Sequence, residues 1–245
     1  MFVIIGIVVV FGSIVVGYTM HHGDMMILVQ INEFIIIGGA AIGSMLIANP
    51  LSLTMGVIKG VLGTLKGSPI NKNSYLELLQ LLYEIFQFAK REGLIALEPH
   101  IENPEASSIF SKYPSFLKNH HAVDFMCDTL KIVLSGGIPA HDLEELMDID
   151  IETLHTAELQ APTALNTVGD AFPGLGIVAA VLGVIITMGI IDQPPEIIGH
   201  SVAAALVGTF FGILMSYGLV GPLAKNMEHI VNAEGRYMNS IKAAL

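Results

Sequence analysis

At 245 residues, with 53% hydrophobic and only 13% charged side chains, the chain is too apolar for an ordinary soluble domain. A formal net charge of −11 gives no argument for nucleic acid or an anionic lipid surface as partner, and a single cysteine excludes an intrachain disulfide.

Four stretches carry no Asp, Glu, Lys or Arg: Met1–Gly23, Phe34–Ile58, Ala171–Ile191 and Ile197–Ala224. Each has the length that a helix needs to cross a hydrocarbon core, roughly 20 apolar residues. Lys59, Lys66, Lys72, Lys90, Arg91, Lys112, Lys118 and Lys131 lie between the second and third stretches, and Lys225, Arg236 and Lys242 follow the fourth. The connectors His21–Glu33 and Asp192–Glu196 hold no Lys or Arg. Basic residues stay on the cytoplasmic side, so the long insert and both termini are expected inside. The fold class is an all-α integral membrane protein, with four transmembrane helices and a large helical cytoplasmic insert between helices 2 and 3. Its divisions are expected at 1–58 (helices 1 and 2), 59–169 (the insert), 170–224 (helices 3 and 4) and 225–245 (a cytoplasmic C-terminal helix).

In chain order, the opening MFVIIGIVVV has neither a positive leader nor a small-residue cleavage site, so Phe2–Met20 is expected as a retained span, helical over Phe2–Tyr18. In the connector, His21, His22 and Asp24 could ligate a metal, but a short exposed loop offers no cage and none is expected. Helix 2 starts near Glu33 or Phe34, has Gly39 and Gly43 at the spacing that lets helices approach, and is kinked or ended by Pro50. In the insert, Ser74 with Glu77 reads as a capping box. It opens a helix with an apolar stripe of Leu76, Leu79, Leu82 and Ile85–Phe86 that stops at Gly93. A looser polar stretch, Glu98–Tyr113, leads to a helix over His120–Leu134. A third insert helix over Pro139–Leu159 has Leu143, Leu146, Ile149 and Leu154 as its apolar positions.

The third and fourth spans carry Pro173 and Pro222 at similar depth on one membrane side. A helical proline leaves the carbonyl four residues earlier unmatched, here those of Gly169 and Gly218. Small residues line one side of each span: Gly176, Ala180, Gly183 and Thr187 on the third, and Ser201, Ala205, Gly208, Gly212 and Ser216 on the fourth. Close helix packing accounts for most of them. Thr209 sets a hydroxyl mid-span, either for a partner or for its own helix's carbonyl. Glu33 and Asp170 lie at span ends, so no span holds an acid near its middle. A proton route through lipid needs such a group, and another chain must then supply it. No hydrolytic triad, HExxH or phosphate-binding loop is present, so an enzyme is not expected.

VGDAFPGLGIVAAVLGV (Val168–Val184), VAAALVGTFFGILMSYGLVGPLA (Val202–Ala224), AKREGLIALE (Ala89–Glu98), ENPE (Glu102–Glu105) and LMDIDIE (Leu146–Glu152) resemble the flagellar stator A subunit family, MotA. GYTMHHG and GAAIGSMLIANP fit as well, and the resemblance runs through essentially the whole chain. It implies a homo-pentamer in the bacterial inner membrane around two copies of a MotB-like single-span subunit. That partner supplies a membrane Asp and a peptidoglycan-binding domain, and ion flow turns the rotor through its switch protein FliG. The resemblance assigns Thr209 to face the partner's aspartate, with Ala180, Gly208, Gly176 and Gly212 along the ion path. It assigns Pro173 and Pro222 to coupling, and Lys90 (or the adjacent Arg91), Glu98 and Asp150 to the rotor contact. Sodium-driven relatives carry threonines where this chain has Ala180 and Gly208. A hard cation needs several oxygen ligands, so H⁺ is the expected ion and no cofactor is called for. The alternatives are an ExbB/TolQ-like motor for envelope transport, disfavoured by the fourth hydrophobic stretch, and a passive membrane scaffold, disfavoured by the paired prolines and Thr209.

Overall fold

The computed structural model describes residues 2–245. In order, α1 (Phe2–Met20), α2 (Met25–Leu28), α3 (Ile31–Ala48) and α4 (Leu51–Lys66) precede α5 (Lys72–Glu92), and the short α6 (Glu98–Glu102) and α7 (Pro114–Leu117) follow it. Then come α8 (His120–Ser135), α9 (Ala140–Met188), α10 (Pro195–Ile213) and α11 (Gly221–Lys242), the last two joined by a π-helical segment, Leu214–Val220. Among the described residues there is no strand, and the helices Phe2–Met20, Met25–Ala48, Ala140–Met188 and Pro195–Lys242 are long and apolar enough to cross a membrane.

The chain forms two compact units. The span unit contains the chain up to Gly67 and Leu159–Glu228; the insert unit contains Ser68–Glu158 and His229–Leu245. These divisions fall later than Ile58 and earlier than Asp170, because α4 runs on to Lys66 and α9 does not break. The third insert helix and the third span, expected as separate elements, are one helix of 49 residues with Pro162 and Pro173 inside it. Each proline removes a single donor, and the hydrogen-bond ladder on either side is long enough to carry the helix through.

In the span unit, Ile37 and Ala41 of α3, Val57 of α4, Ala164, Leu165, Phe172 and Ala179 of α9, and Ala224 and Met227 of α11 form the core together with Val220. α1 contributes no buried residue, as suits a helix whose apolar surface meets lipid or another chain. Pro50 separates α3 from α4: Asn49 N–H closes α3 on the Met45 carbonyl at 3.1 Å, and the Pro50 carbonyl accepts from Leu53 and Thr54, both at 3.1 Å. Between α1 and α3 the connector holds an unforeseen helical turn, α2, capped by the Asp24 carboxylate accepting from Met26 N–H at 2.9 Å.

The insert unit packs Leu78, Leu81, Leu82 and Ile85 of α5 against Phe110, Phe116 and the inner face of α8, with Met147 and Ile151 of α9 and Tyr237, Met238 and Ile241 of α11. The helix cap differs from the expected one: Asn71 is the N-cap and Ser74 the third helical residue, and the two side chains close the capping box reciprocally. The buried stripe of α5 also differs. Leu76 and Leu79 are exposed with Tyr83 and Phe86, giving the helix a second, uncovered apolar face. On α9, Met147 and Ile151 are buried whereas Leu146 and Ile149 are exposed. Gly93, at φ 91°, and Gly136, at φ 69°, end α5 and α8 in the left-handed region that favours glycine. Cys127 is buried on α8, and burial pushes its thiol up to about 12.

Candidate functional site

Within the span unit, α9 and α10 meet at backbone distance because glycines stand where side chains would collide. A Cβ on Gly212 would lie 2.5 Å from the Phe172 carbonyl oxygen and 3.0 Å from Gly176 Cα. One on Gly176 would lie 2.8 Å from the Gly208 carbonyl oxygen and 3.3 Å from Thr209 Cα. Seven residues to either side, Gly183 meets Ala205, and Gly169 meets Val220 at 3.2 Å. The glycines thus recur at the period that keeps one face of α9 on its neighbour. Thr187 is buried on this face and donates to the Gly183 carbonyl at 2.8 Å.

Of the residues expected along the ion path, Gly176, Gly208 and Gly212 are therefore buried against other segments of this chain. Thr209 and Ala180 are half-buried, and Ala179, not Ala180, is the fully buried alanine of α9. The Thr209 hydroxyl makes no hydrogen bond among the described residues, not even to its own helix, unlike Thr163, Thr167 and Thr187. A half-buried hydroxyl in a span with no internal acceptor is open to a group from outside the chain.

Pro173 is half-buried and Pro222 exposed. The π segment corrects the expectation for Pro222: Gly221 N–H donates to the Ser216 carbonyl, five residues back. In that register the bond that Pro222 cannot donate belongs to Tyr217 rather than Gly218. Such π turns insert one extra residue into a helix and are weak points in its ladder.

The structure also moves a carboxyl. Glu33 is at the start of α3, but that start is not level with the outer ends of α9 and α10. A Cβ added at Gly208 would come within 2.6 Å of the Glu33 Oε2 and 3.1 Å of the Ala179 Cβ. Phe34 packs on Phe211 with ring centroids 4.5 Å apart and holds this first turn against α10. Gly208 is thirteen residues into α10, or about 20 Å at 1.5 Å per residue. The span unit therefore does hold an acid deep among its helices, contrary to the sequence expectation. A lone acid at the edge of an apolar run gives no sign of its depth, which depends on how far α3 is set back along α10.

In the insert unit, Lys90 and Arg91 end α5 and Glu98 begins α6, all three exposed. None of the three has an ion pair among the described residues, unlike Lys112, which pairs with Glu84 at 2.9 Å. Asp150 is exposed on α9 beside a groove shared with Asp128, Thr129 and Ile132 of α8. Among the described residues no group of His, Cys, Asp or Glu has the arrangement to hold a metal.

Residues 4–93 match the family described as Motility protein A N-terminal, and residues 118–240 match the MotA/TolQ/ExbB proton channel family. The chain is 37% identical to Motility protein A of Salmonella typhimurium, over 100% of this chain and 83% of that one. It is 38% identical to Motility protein A of Escherichia coli with the same coverage. Chemotaxis protein LafT of Vibrio parahaemolyticus is 36% identical, over 98% of this chain and 85% of that one. The fold resembles that of a chain in the structure of C. jejuni MotAB, with TM-score 0.80 and 23% identity over 99% of this chain and 86% of that one. It also resembles a chain of the flagellar MotAB stator complex from Bacillus subtilis, with TM-score 0.74 and 24% identity over 98% and 86%.

Proposed function

Because the chain belongs to the Motility protein A family, within the MotA/TolQ/ExbB proton channel family, we propose that it is a stator subunit that couples proton flow to rotation of a bacterial flagellum. Thr209 is the observation that carries the mechanism. Its hydroxyl is half-buried, unmatched among the described residues, and set beside the glycine crossing of α9 and α10, where it suits a carboxyl offered by a single-span B subunit. Protonation of that carboxyl changes what the hydroxyl accepts or donates. Ala180 and Gly208 add no side-chain oxygen, which favours H⁺ over Na⁺. One charge moving through 100 mV supplies about 2.3 kcal/mol.

Pro173 and Pro222 pass the local change along the helices, since each leaves a gap in the ladder where bending is cheap. Gly176 and Gly212 set how closely the two spans approach. Lys90, Arg91 and Glu98, exposed and without ion pairs among the described residues, suit charges of a rotor protein such as FliG, and Asp150 adds a further acid. The uncovered apolar faces of α1 and of α5 (Leu76, Leu79, Tyr83 and Phe86) suit contacts between copies in a pentamer. The inner membrane is the setting, with both termini and the insert in the cytoplasm on the distribution of Lys and Arg. The match of residues 4–93 to the Motility protein A N-terminal family favours this reading over an ExbB/TolQ-like envelope motor.

The test is swimming speed of a strain that relies on this subunit and its natural partner. Motility that survives Na⁺ removal and stops with a proton uncoupler is the expected result. Motility that follows Na⁺ contradicts the ion assignment, and a deletion with no motility phenotype contradicts the stator role.

A further inference from the structure

Glu33 is 7% exposed, and its Oε2 has no hydrogen-bond partner. It lies against the bare backbone of Gly208, where an added Cβ would come within 2.6 Å of Oε2. α9 and α10 supply no charged side chain near it, since Ala171–Ile191 and Ile197–Ala224 hold no Asp, Glu, Lys or Arg. His200 is eight residues nearer the outer end of α10 than Gly208, and Asp24 is engaged in capping α2. A carboxylate left ionised and unpaired there is strongly unfavourable, and a hydroxyl or carboxyl without a partner also loses its hydrogen bonds to water. A residue serving only to pack against glycine would be apolar. A Cβ at Gly208 would lie 2.6 Å from Oε2, so the carboxyl occupies the space that the glycine leaves open.

We propose that Glu33 is a relay carboxyl on the proton route, set at the depth of Gly208. It takes a proton from water entering between the spans and passes it toward the carboxyl that the partner offers near Thr209, one residue from Gly208. The step balances: a hydronium gives its proton to the Glu33 carboxylate and becomes water, and the same proton then leaves for the next carboxylate, restoring Glu33. Such intramembrane acids are kept where ions must pass. This inference rests on the stator reading above.

The test compares wild type with Glu33→Gln, Glu33→Asp and Glu33→Leu in the full complex with the B subunit, following motor speed at low load, stall torque, and the number of stators engaged per motor. Glu33→Gln keeps the shape but cannot cycle a proton. It is expected to lower speed at low load several-fold, because delivery becomes limiting, while stall torque and stator number stay near wild type. Glu33→Asp is expected to recover most of the speed, and Glu33→Leu is not. A Glu33→Gln motor as fast as wild type at low load overturns the relay, and so does a loss confined to stator number. If Glu33→Gln does not assemble, the wild-type complex in proteoliposomes is treated with a hydrophobic carbodiimide, which attacks carboxyls that carry a proton. Loss of proton flux that tracks modification of Glu33 while the partner's carboxyl stays unmodified supports the relay; full flux with Glu33 modified overturns it. A wild-type complex that drives no rotation overturns the stator reading and the relay together, which separates the two failures.

Discussion

Gly212→Ala tests the helix crossing on which the whole site depends. The added Cβ would sit 2.5 Å from the Phe172 carbonyl oxygen and 3.0 and 3.2 Å from Gly176 Cα and N. Carbon contacts are comfortable at about 3.5–4.0 Å, so α9 and α10 must part by roughly 1 Å. The obstacles are backbone atoms, which cannot rotate aside as a side chain would. A gap of that size forfeits about a quarter to a half of the attraction of each contact along the seam. Overpacking of a close-packed core costs about 1–3 kcal/mol, or roughly 5- to 150-fold in the unfolding equilibrium. Gly174→Ala is the control: it lies on α9, the facing helix of the same crossing, its Cβ meets nothing within 4 Å, and alanine in place of glycine adds up to about 1 kcal/mol of helix preference. The assay is the Tm of the purified complex in detergent, with the denaturant midpoint as a second reading. Gly212→Ala should fall below wild type and Gly174→Ala should match or exceed it. If the two variants melt together, the seam is not close-packed at Gly212 and the reasoning fails.

Gly208→Ala should cost more in wild type than in a Glu33→Ala background, since its Cβ would lie 2.6 Å from the Glu33 Oε2; additive effects in the double-mutant cycle would refute the contact. Burial, and then repulsion from Glu234, hold the Glu158 carboxyl above the usual carboxylate range against the opposing pull of His121. The folded insert unit therefore holds that proton more tightly than the unfolded chain does. The resulting stability is full below the ordinary carboxylate range and is lost as pH rises through the raised value. Glu158→Gln should flatten this decline and raise Tm at neutral pH; an unchanged pH profile of Tm counts against it. Pro173→Ala should restore a helix bond, leave the complex assembled and stop swimming, as read by membrane abundance beside swimming speed; normal motility removes the coupling role.

Much of this protein was determined by the sequence itself. Charge-free runs long enough for a bilayer are properties of the chain in one dimension, and they specify four candidate spans and an all-α class. Helix ends marked by Gly93 and Gly136 were equally local, because only the backbone at those residues decides them. The capping residue of α5 was less secure, since Asn71 and Ser74 both suit an N-terminus and local chemistry alone does not choose. Other features depended on what lies opposite. α5 has enough apolar residues for two faces, and only packing against α8 and α11 settled that Leu78 and Leu81 face inward while Leu76 and Leu79 stay outside. The third insert helix and the third span read as separate elements, yet α9 runs through both, with Pro162 and Pro173 inside it, because neighbouring turns outweigh one lost bond at each. The glycines of α9 and α10 were legible as small residues, but not which atoms they admit. Glu33 is the clearest case. Its place in the sequence says only that an acid begins an apolar helix, whereas its depth and its lack of a partner follow from how far α3 is set along α10, a distance between segments that no local pattern encodes.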